Sequence, residues 1–323
     1  MVVINLRSGA PLVEVHRSGV VESLHRGHLV VLDARGEVID AVGAPAQPIF
    51  PRSSNKPLQA VGLRELGLAV PSAALALAAA SHSGEPRHVA VVQAMLAQGG
   101  FAEDDLECPP DWPLGEAARD EWIAARVGRT RVRMNCSGKH AAMMLACQAN
   151  GWPVDGYPAA DHPLQRHLAE TVGRLADEPV AGVGVDGCGA PVFAITLLGL
   201  AHAYARLVAA RPGPEADVAD AMRAHPELVG GTDRAASRLM AGVPGLLAKD
   251  GAEGVFAAAL AGTGSVAVKI DDGAARAAEC ALVAGLRRLG LTGAVLDEQA
   301  ETPVTGGGAT VGAVRIRPGL FTR

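Results

Sequence analysis

Over the first fifty residues the apolar positions come in short runs. Residues 12–16, 20–24, 28–32 and 38–42 each read as a strand, punctuated by Ser18-Gly19, Gly27 and Arg35-Gly36. Such close spacing predicts antiparallel hairpins, because a parallel crossover needs roughly a dozen or more connecting residues. From Ser53 the period changes. Leu58, Val61, Leu63 and Leu66 suit an amphipathic helix, and the chain reads as mostly helical to about Gln148. Pro71, Gly99-Gly100 and the Cys108-Pro109-Pro110 region break that stretch. Residues 161–178 and 192–209 are further predicted helices, and Arg211-Pro212-Gly213-Pro214 reads as a surface connection. From Val255 strands return: 255–261 and 265–270 form a hairpin across Gly262-Thr263-Gly264, with Asp271-Asp272-Gly273 after it. A helix over 274–289 and a last strand over 310–316, behind Gly306-Gly307-Gly308, complete the pattern.

Strands at both ends with helices between predict an α/β (α+β) fold. Its antiparallel sheet is assembled from N- and C-terminal segments, about 1–50 and 250–323, and flanked by helices; residues of about 53–248 form a mainly helical central section. The 323 residues can form one large domain or two smaller ones and are taken as a single domain, 1–323, with no internal repeat and no low-complexity tail. With 49% hydrophobic but only 3% aromatic residues, the core must be built from Ala, Val and Leu. The net charge of −5 gives no electrostatic reason to expect nucleic acid or an anionic membrane as partner. No apolar run approaches a bilayer span; residues 73–80 are among the longest. The N-terminus, Met1-Val2-Val3-Ile4-Asn5-Leu6-Arg7, lacks the basic-then-apolar order of a signal peptide, so a cytoplasmic protein is expected. There, Cys108, Cys136, Cys147, Cys188 and Cys280 should be thiols or metal ligands rather than a disulfide framework.

The candidate chemistry centres on Arg52-Ser53-Ser54-Asn55-Lys56, which contains Ser-x-x-Lys at the start of the first predicted helix. On a helix this spacing sets the Ser53 hydroxyl beside the Lys56 amine one turn on. A serine hydroxyl is a poor nucleophile until a base takes its proton, and a lysine can do so once burial or a second cation leaves its amine neutral. The bland alternative makes Ser53 an N-cap and Lys56 a solvated residue. Cys136 and Cys188 could supply thiolates to zinc or be two small buried thiols; each sits beside glycine and a titratable group, Lys139, His140 or Asp186. Gly182-Val183-Gly184-Val185-Asp186-Gly187 has dinucleotide-fingerprint spacing, but its surroundings are not an alternating strand–helix unit and the next acid, Glu215, is too far on. Ser81-His82-Ser83-Gly84 reads as a polar loop and Lys249-Asp250-Gly251 as a turn, with Lys269 a snorkelling, solvated rival to Lys249. The order Ser-x-x-Lys, second serine motif, Lys-x-Gly is similar to that of the penicillin-recognising serine enzymes.

The whole pattern resembles a narrower family, the Rhizobium-type (thermolabile) L-asparaginases. The residues that carry the resemblance are the stretch from Glu14 to His28, Pro51-Arg52-Ser53-Ser54-Asn55-Lys56-Pro57 and Ala80-Ser81-His82-Ser83, with Asn135-Cys136-Ser137-Gly138-Lys139-His140 and Asp186-Gly187-Cys188. The resemblance implies a fold similar to serine β-lactamases, penicillin-binding proteins and glutaminases. It also implies hydrolysis of L-asparagine to L-aspartate and ammonia through an acyl-enzyme. By the same resemblance Ser53 is the nucleophile, Lys56 its activating partner, and Ser81 with Lys249 a second pair. Arg52, His140 and Asp186 bind substrate or support the site, Cys136, Lys139 and Cys188 hold one zinc ion, and the protein is a homodimer. Matching is poorest between Arg211 and Lys249. Alternatives are a same-fold hydrolase acting on glutamine, a β-lactam or a peptide amide, and a non-catalytic ligand-binding module.

Overall fold

The computed structural model describes residues 8–209 and 211–321. The Met1–Arg7 stretch, on which the signal-peptide reading rests, lies outside the described residues. The strands are β1 (Ala10–Arg17), β2 (Val20–Asp33), β3 (Val38–Val42), β4 (Pro48–Ile49), β5 (Gly182–Val185), β6 (Pro191–Thr196), β7 (Leu247–Gly251), β8 (Val255–Leu260), β9 (Gly264–Ile270), β10 (Glu301–Gly306) and β11 (Ala309–Ile316). One eight-stranded sheet runs β10-β11-β1-β2-β9-β8-β7, with β3 paired beside β2; every pairing is antiparallel. The sheet is therefore closed in its middle by strands from opposite ends of the chain, as the hydrophobic pattern predicts.

The central strands β8 and β9 are buried almost throughout. Helix Leu197–Ala209 packs on both, and helix Ala275–Arg288 also packs on both and on β11. Ser265 bonds to Ala201 of the first helix, whereas its neighbour Val266 lies against Gly285 of the second. Successive residues of a strand point to opposite faces, so the two helices cover opposite faces of the sheet. This explains why Val255–Leu260 reads as a continuous apolar run rather than an alternation.

Three local expectations are corrected. The runs 20–24 and 28–32 are one strand, β2, which pairs with β1 through its first half and with β3 and β9 through its second. Gly27 between them is not a turn: a Cβ there would lie 2.2 Å from the Lys269 carbonyl, so glycine serves a close backbone approach. The predicted helix 192–209 begins as strand β6, whose run Pro191–Thr196 pairs with β4 and β5, and becomes helical only at Leu197. Finally, Lys249-Asp250-Gly251 lies in strand β7, with Lys249 opposite Ala257.

Candidate active site

Ser53 sits in a 3₁₀ turn, Arg52–Asn55, that leads into helix Lys56–Glu65; the Lys56 backbone N–H closes the turn on the Ser53 carbonyl. Arg52 just before it has φ +52°, a left-handed conformation that costs a non-glycine residue about 1–3 kcal/mol and persists only where surroundings enforce it. Those surroundings are identifiable. Tyr204 of helix Leu197–Ala209 donates its hydroxyl to the Ser54 carbonyl at 2.8 Å. Ser54 Oγ donates to the Lys249 carbonyl at 3.0 Å, which ties the turn to β7. The turn lies so close to β7 that a Cβ on Gly251 would come within 2.5 Å of the Pro51 carbonyl.

Lys56 is fully buried. Its Nζ donates to the Ala80 carbonyl at 2.6 Å, to Ser81 Oγ at 2.9 Å and to Cys136 Sγ at 3.0 Å. Three donors meet three acceptors, none of them a carboxylate, which saturates an ammonium. For the amine to take a proton it must first be neutral, and the Ser81 contact can then reverse, the hydroxyl donating to the nitrogen. Ser81 is placed for this by a buried loop: its N–H donates to the Val229 carbonyl, that of His82 to the Asn135 carbonyl, and that of Ser83 to the Gly230 carbonyl. The predicted polar loop is thus stitched to two neighbouring segments.

Cys136 precedes helix Ser137–Ala149, which carries Lys139 one turn on and His140 beside it. Cys188 comes from the turn between β5 and β6, where Gly189 takes φ +88° and its N–H closes on the Asp186 carbonyl. The segment with dinucleotide-fingerprint spacing is therefore β5 and the turn of an antiparallel hairpin, followed by strand β6 rather than by a helix. Lys139 Nζ lies 3.3 Å from Cys188 Sγ. A hydrogen bond from Cys136 holds the Cys188 thiol far below its ordinary range against the effect of burial, and the Lys139 cation adds to this. Cys136 is pushed up correspondingly, first by that bond and then by burial. Cys108, Cys147 and Cys280 behave as packing thiols, pushed up mainly by burial to about 12, 11 and 11. All five cysteines are free and buried.

Among the described residues no group of three His, Cys, Asp and Glu could hold a metal ion. The Cys136–Lys139–Cys188 group differs in having an amine as third donor. Two buried thiols, an amine against one of them and the buried, unpartnered Nε2 of His140 form a donor set that suits a thiophilic cation. His140 is fixed by its other nitrogen, Nδ1, 2.6 Å from the Tyr157 hydroxyl.

Arg52, Ser53, Ser81, Cys136, Asp186 and Cys188 line one cleft of about 270 Å³. Arg52 Nε donates to Asp186 Oδ1 at 2.8 Å, and its Nη1 lies 3.8 Å from Glu253. Lys56, Lys139, His140 and Lys249 are buried. The expected Ser81–Lys249 hydrogen bond is not among those of the described residues. Lys249 Nζ donates instead to the carbonyl of Asp250 at 2.7 Å and to its Oδ1 at 2.9 Å. Burial, assisted by the Lys56 cation, lowers Lys249 to about 8 against the pull of Asp250. Burial opposes charge on Asp250 too, but Lys249 and Arg234 hold its carboxyl well below the usual range. Lys269 is not the solvated lysine expected; it is half-buried and donates to the carbonyls of Glu253 and Ile270.

Sequence reasoning missed Asn135, Asp250 and Arg234 among the residues lining the cleft, and Tyr157 and Tyr204 behind it. Arg234 follows Gly230-Gly231-Thr232-Asp233, a run of turn-forming residues that could have drawn attention to it. No curated protein matches this chain. A family model described as L-asparaginase II matches residues 13–316, and the chain belongs to that family: it is an L-asparaginase, an amidohydrolase with a small-molecule substrate.

Proposed function

We propose that this asparaginase hydrolyses the side-chain amide of L-asparagine through an ester on Ser53. The observation that supports the reading best is the buried Lys56 amine, bonded to Ser81 Oγ and Cys136 Sγ at 2.9 and 3.0 Å, three residues after a serine that lines the cleft. Neutral Lys56 takes the Ser53 proton as Oγ bonds to the amide carbon. Ser81 passes a proton from Lys56 to the amide nitrogen, the carbon–nitrogen bond breaks, and ammonia leaves. Water then cleaves the aspartyl ester, with Lys56 again accepting a proton, and L-aspartate is released. Arg52 and Asp186, locked to each other, shape the substrate end of the cleft, and His140 supports it. Lys249, held by Asp250, supplies a second positive charge to the site.

Cys136, Lys139 and Cys188 would hold zinc. When bound, the ion supplies Lewis-acid charge beside the cleft and stabilises the deprotonated forms of its own ligands. Replacing Cys188 by alanine is expected to lower the zinc content of purified protein measured by elemental analysis; unchanged zinc would refute the ligand set. The enzyme works as a homodimer in the cytoplasm, where buried free thiols persist. No helix among the described residues is long and apolar enough to cross a membrane. Light scattering in solution and cell fractionation check these two points.

The deciding experiment is ammonia release from L-asparagine by wild type and Ser53→Ala, with denatured-protein mass spectrometry to trap the ester. Loss on the order of 10⁴-fold or more in kcat, with an unchanged melting profile, is expected. Wild-type turnover in the variant would end the proposal.

A further inference from the structure

We propose that Arg234 is the receptor for the α-carboxylate of the substrate, an inference that rests on the asparagine-hydrolase reading above. Arg234 lines the same cleft as Ser53 and Ser81, and its side chain is 29% exposed. The two arginines of the cleft differ in how their donors are used. Arg52 places both Nε and Nη2 on Asp186 Oδ1 and turns Nη1 toward Glu253. Arg234 spends only Nη2, on Asp250 Oδ2; among the described residues its Nε and Nη1 have no hydrogen-bond acceptor. A partly exposed, half-used guanidinium lining the same cleft as the proposed nucleophile is matched by a planar anion with two acceptor oxygens, and the α-carboxylate is the group of asparagine that has that shape.

The position of this guanidinium is built rather than incidental. Asp233 just before it takes φ +62°, a left-handed strain of the same kind as that at Arg52. Gly230 makes room for its stem: a Cβ there would lie 2.9 Å from Arg234 Cβ and 3.4 Å from Cγ. The Gly230 carbonyl also accepts from both the N–H and the hydroxyl of Ser83, and the Val229 carbonyl accepts from the Ser81 N–H. The segment that positions Arg234 is therefore hydrogen-bonded to the loop that positions Ser81, which fixes the distance between a carboxylate held by one and an amide attacked beside the other. Asp250 already answers to two cations, Lys249 and Arg234, so a substrate carboxylate can share the guanidinium without stripping Lys249 of its partner.

The test compares L-asparagine with 3-aminopropanamide, the same molecule without its α-carboxylate, on wild type, Arg234→Gln and Arg234→Lys. Losing a charged hydrogen-bond partner is expected to raise KM for asparagine about 10- to 100-fold in Arg234→Gln, with kcat within about threefold. It should leave kcat/KM for 3-aminopropanamide within about threefold of wild type, and Arg234→Lys should fall between. Equal proportional losses on both substrates, or no change on asparagine, overturn the proposal; if the Gln variant does not fold, the Lys variant decides on the same criterion. Failure of wild type to release ammonia from asparagine would count against the asparaginase reading itself. Calorimetric binding of L-aspartate and β-alanine then decides for Arg234: weakened binding of L-aspartate alone in the variant supports it, and equal weakening or no binding by wild type overturns it.

Discussion

Two buried lysines, Lys56 and Lys249, stand in opposite electrostatic settings. Lys56, on the helical side, meets a carbonyl, a hydroxyl and a sulfur, with no carboxylate in hydrogen-bonding contact. Lys249, on the sheet side, is paired with Asp250, which Arg234 also holds. Lys56 bonds only to a carbonyl, a hydroxyl and a sulfur, whereas at Lys249 the Asp250 carboxylate partly offsets the lowering that burial imposes. On the proposed mechanism Lys56 is the amine that exchanges a proton with Ser53 and Lys249 the one that supplies a neighbouring charge, though both are buried lysines close enough to act on each other.

The contrast breaks most visibly under substitution by methionine, which keeps the length and removes the charge. Lys56→Met is expected to lower kcat by about 10²–10⁴-fold, the range for losing a general base. Lys249→Met should cost kcat about tenfold, because it removes only an assisting charge, while lowering stability by about 1–3 kcal/mol through Asp250, which keeps Arg234 alone as its partner. Steady-state kinetics and urea unfolding of the two proteins check the order. A larger kcat loss from Lys249→Met would reverse the assignment of base and assistant.

A pH profile sharpens the same comparison. Lys249 is lowered from 10.5 to about 8, so its charged form is disfavoured in the fold. That cost is fully present below pH 8, where folded and unfolded chains are both protonated. It is relieved as pH rises, because the folded protein gives up this proton before the unfolded chain does. Wild type should therefore gain about 1–2 kcal/mol relative to Lys249→Met between pH 8 and 10. Parallel unfolding curves with a pH-independent gap would show that Lys249 keeps an ordinary affinity for its proton.

How much of this was legible beforehand depended on whether a signal was local. The sheet built from both ends followed from hydrophobic period and turn residues, because strand pairing must bury what the pattern exposes. Gly27 was misread because glycine marks both turns and close backbone approach, and only the partner strand distinguishes them. Pro191–Thr196 was misread because a short continuous apolar run has no period to separate strand from helix. Ser53, Ser81, Cys136 and Cys188 could be named from motifs and do line one cleft. Arg234 could not, since its role depends on which donors Asp250 leaves unspent, a fact of geometry that no spacing encodes.

Tyr204 is the smallest and most diagnostic case, because it touches the Arg52–Asn55 turn from a residue 150 positions further along the chain. Its hydroxyl is buried and donates to the Ser54 carbonyl, in the strained turn that holds Ser53. Tyr204→Phe removes one oxygen and leaves that carbonyl without its donor, at a cost of about 1–2 kcal/mol. If the turn is also held by Ser54 Oγ and by contact with Gly251, kcat should fall by less than about fivefold while the melting midpoint drops by a few degrees. The larger effect would then lie in stability, marking Tyr204 as a support for the turn. A hundredfold fall in kcat at unchanged stability would instead mean that this hydroxyl reaches the chemistry, and that two lysines and two serines do not complete the proton path.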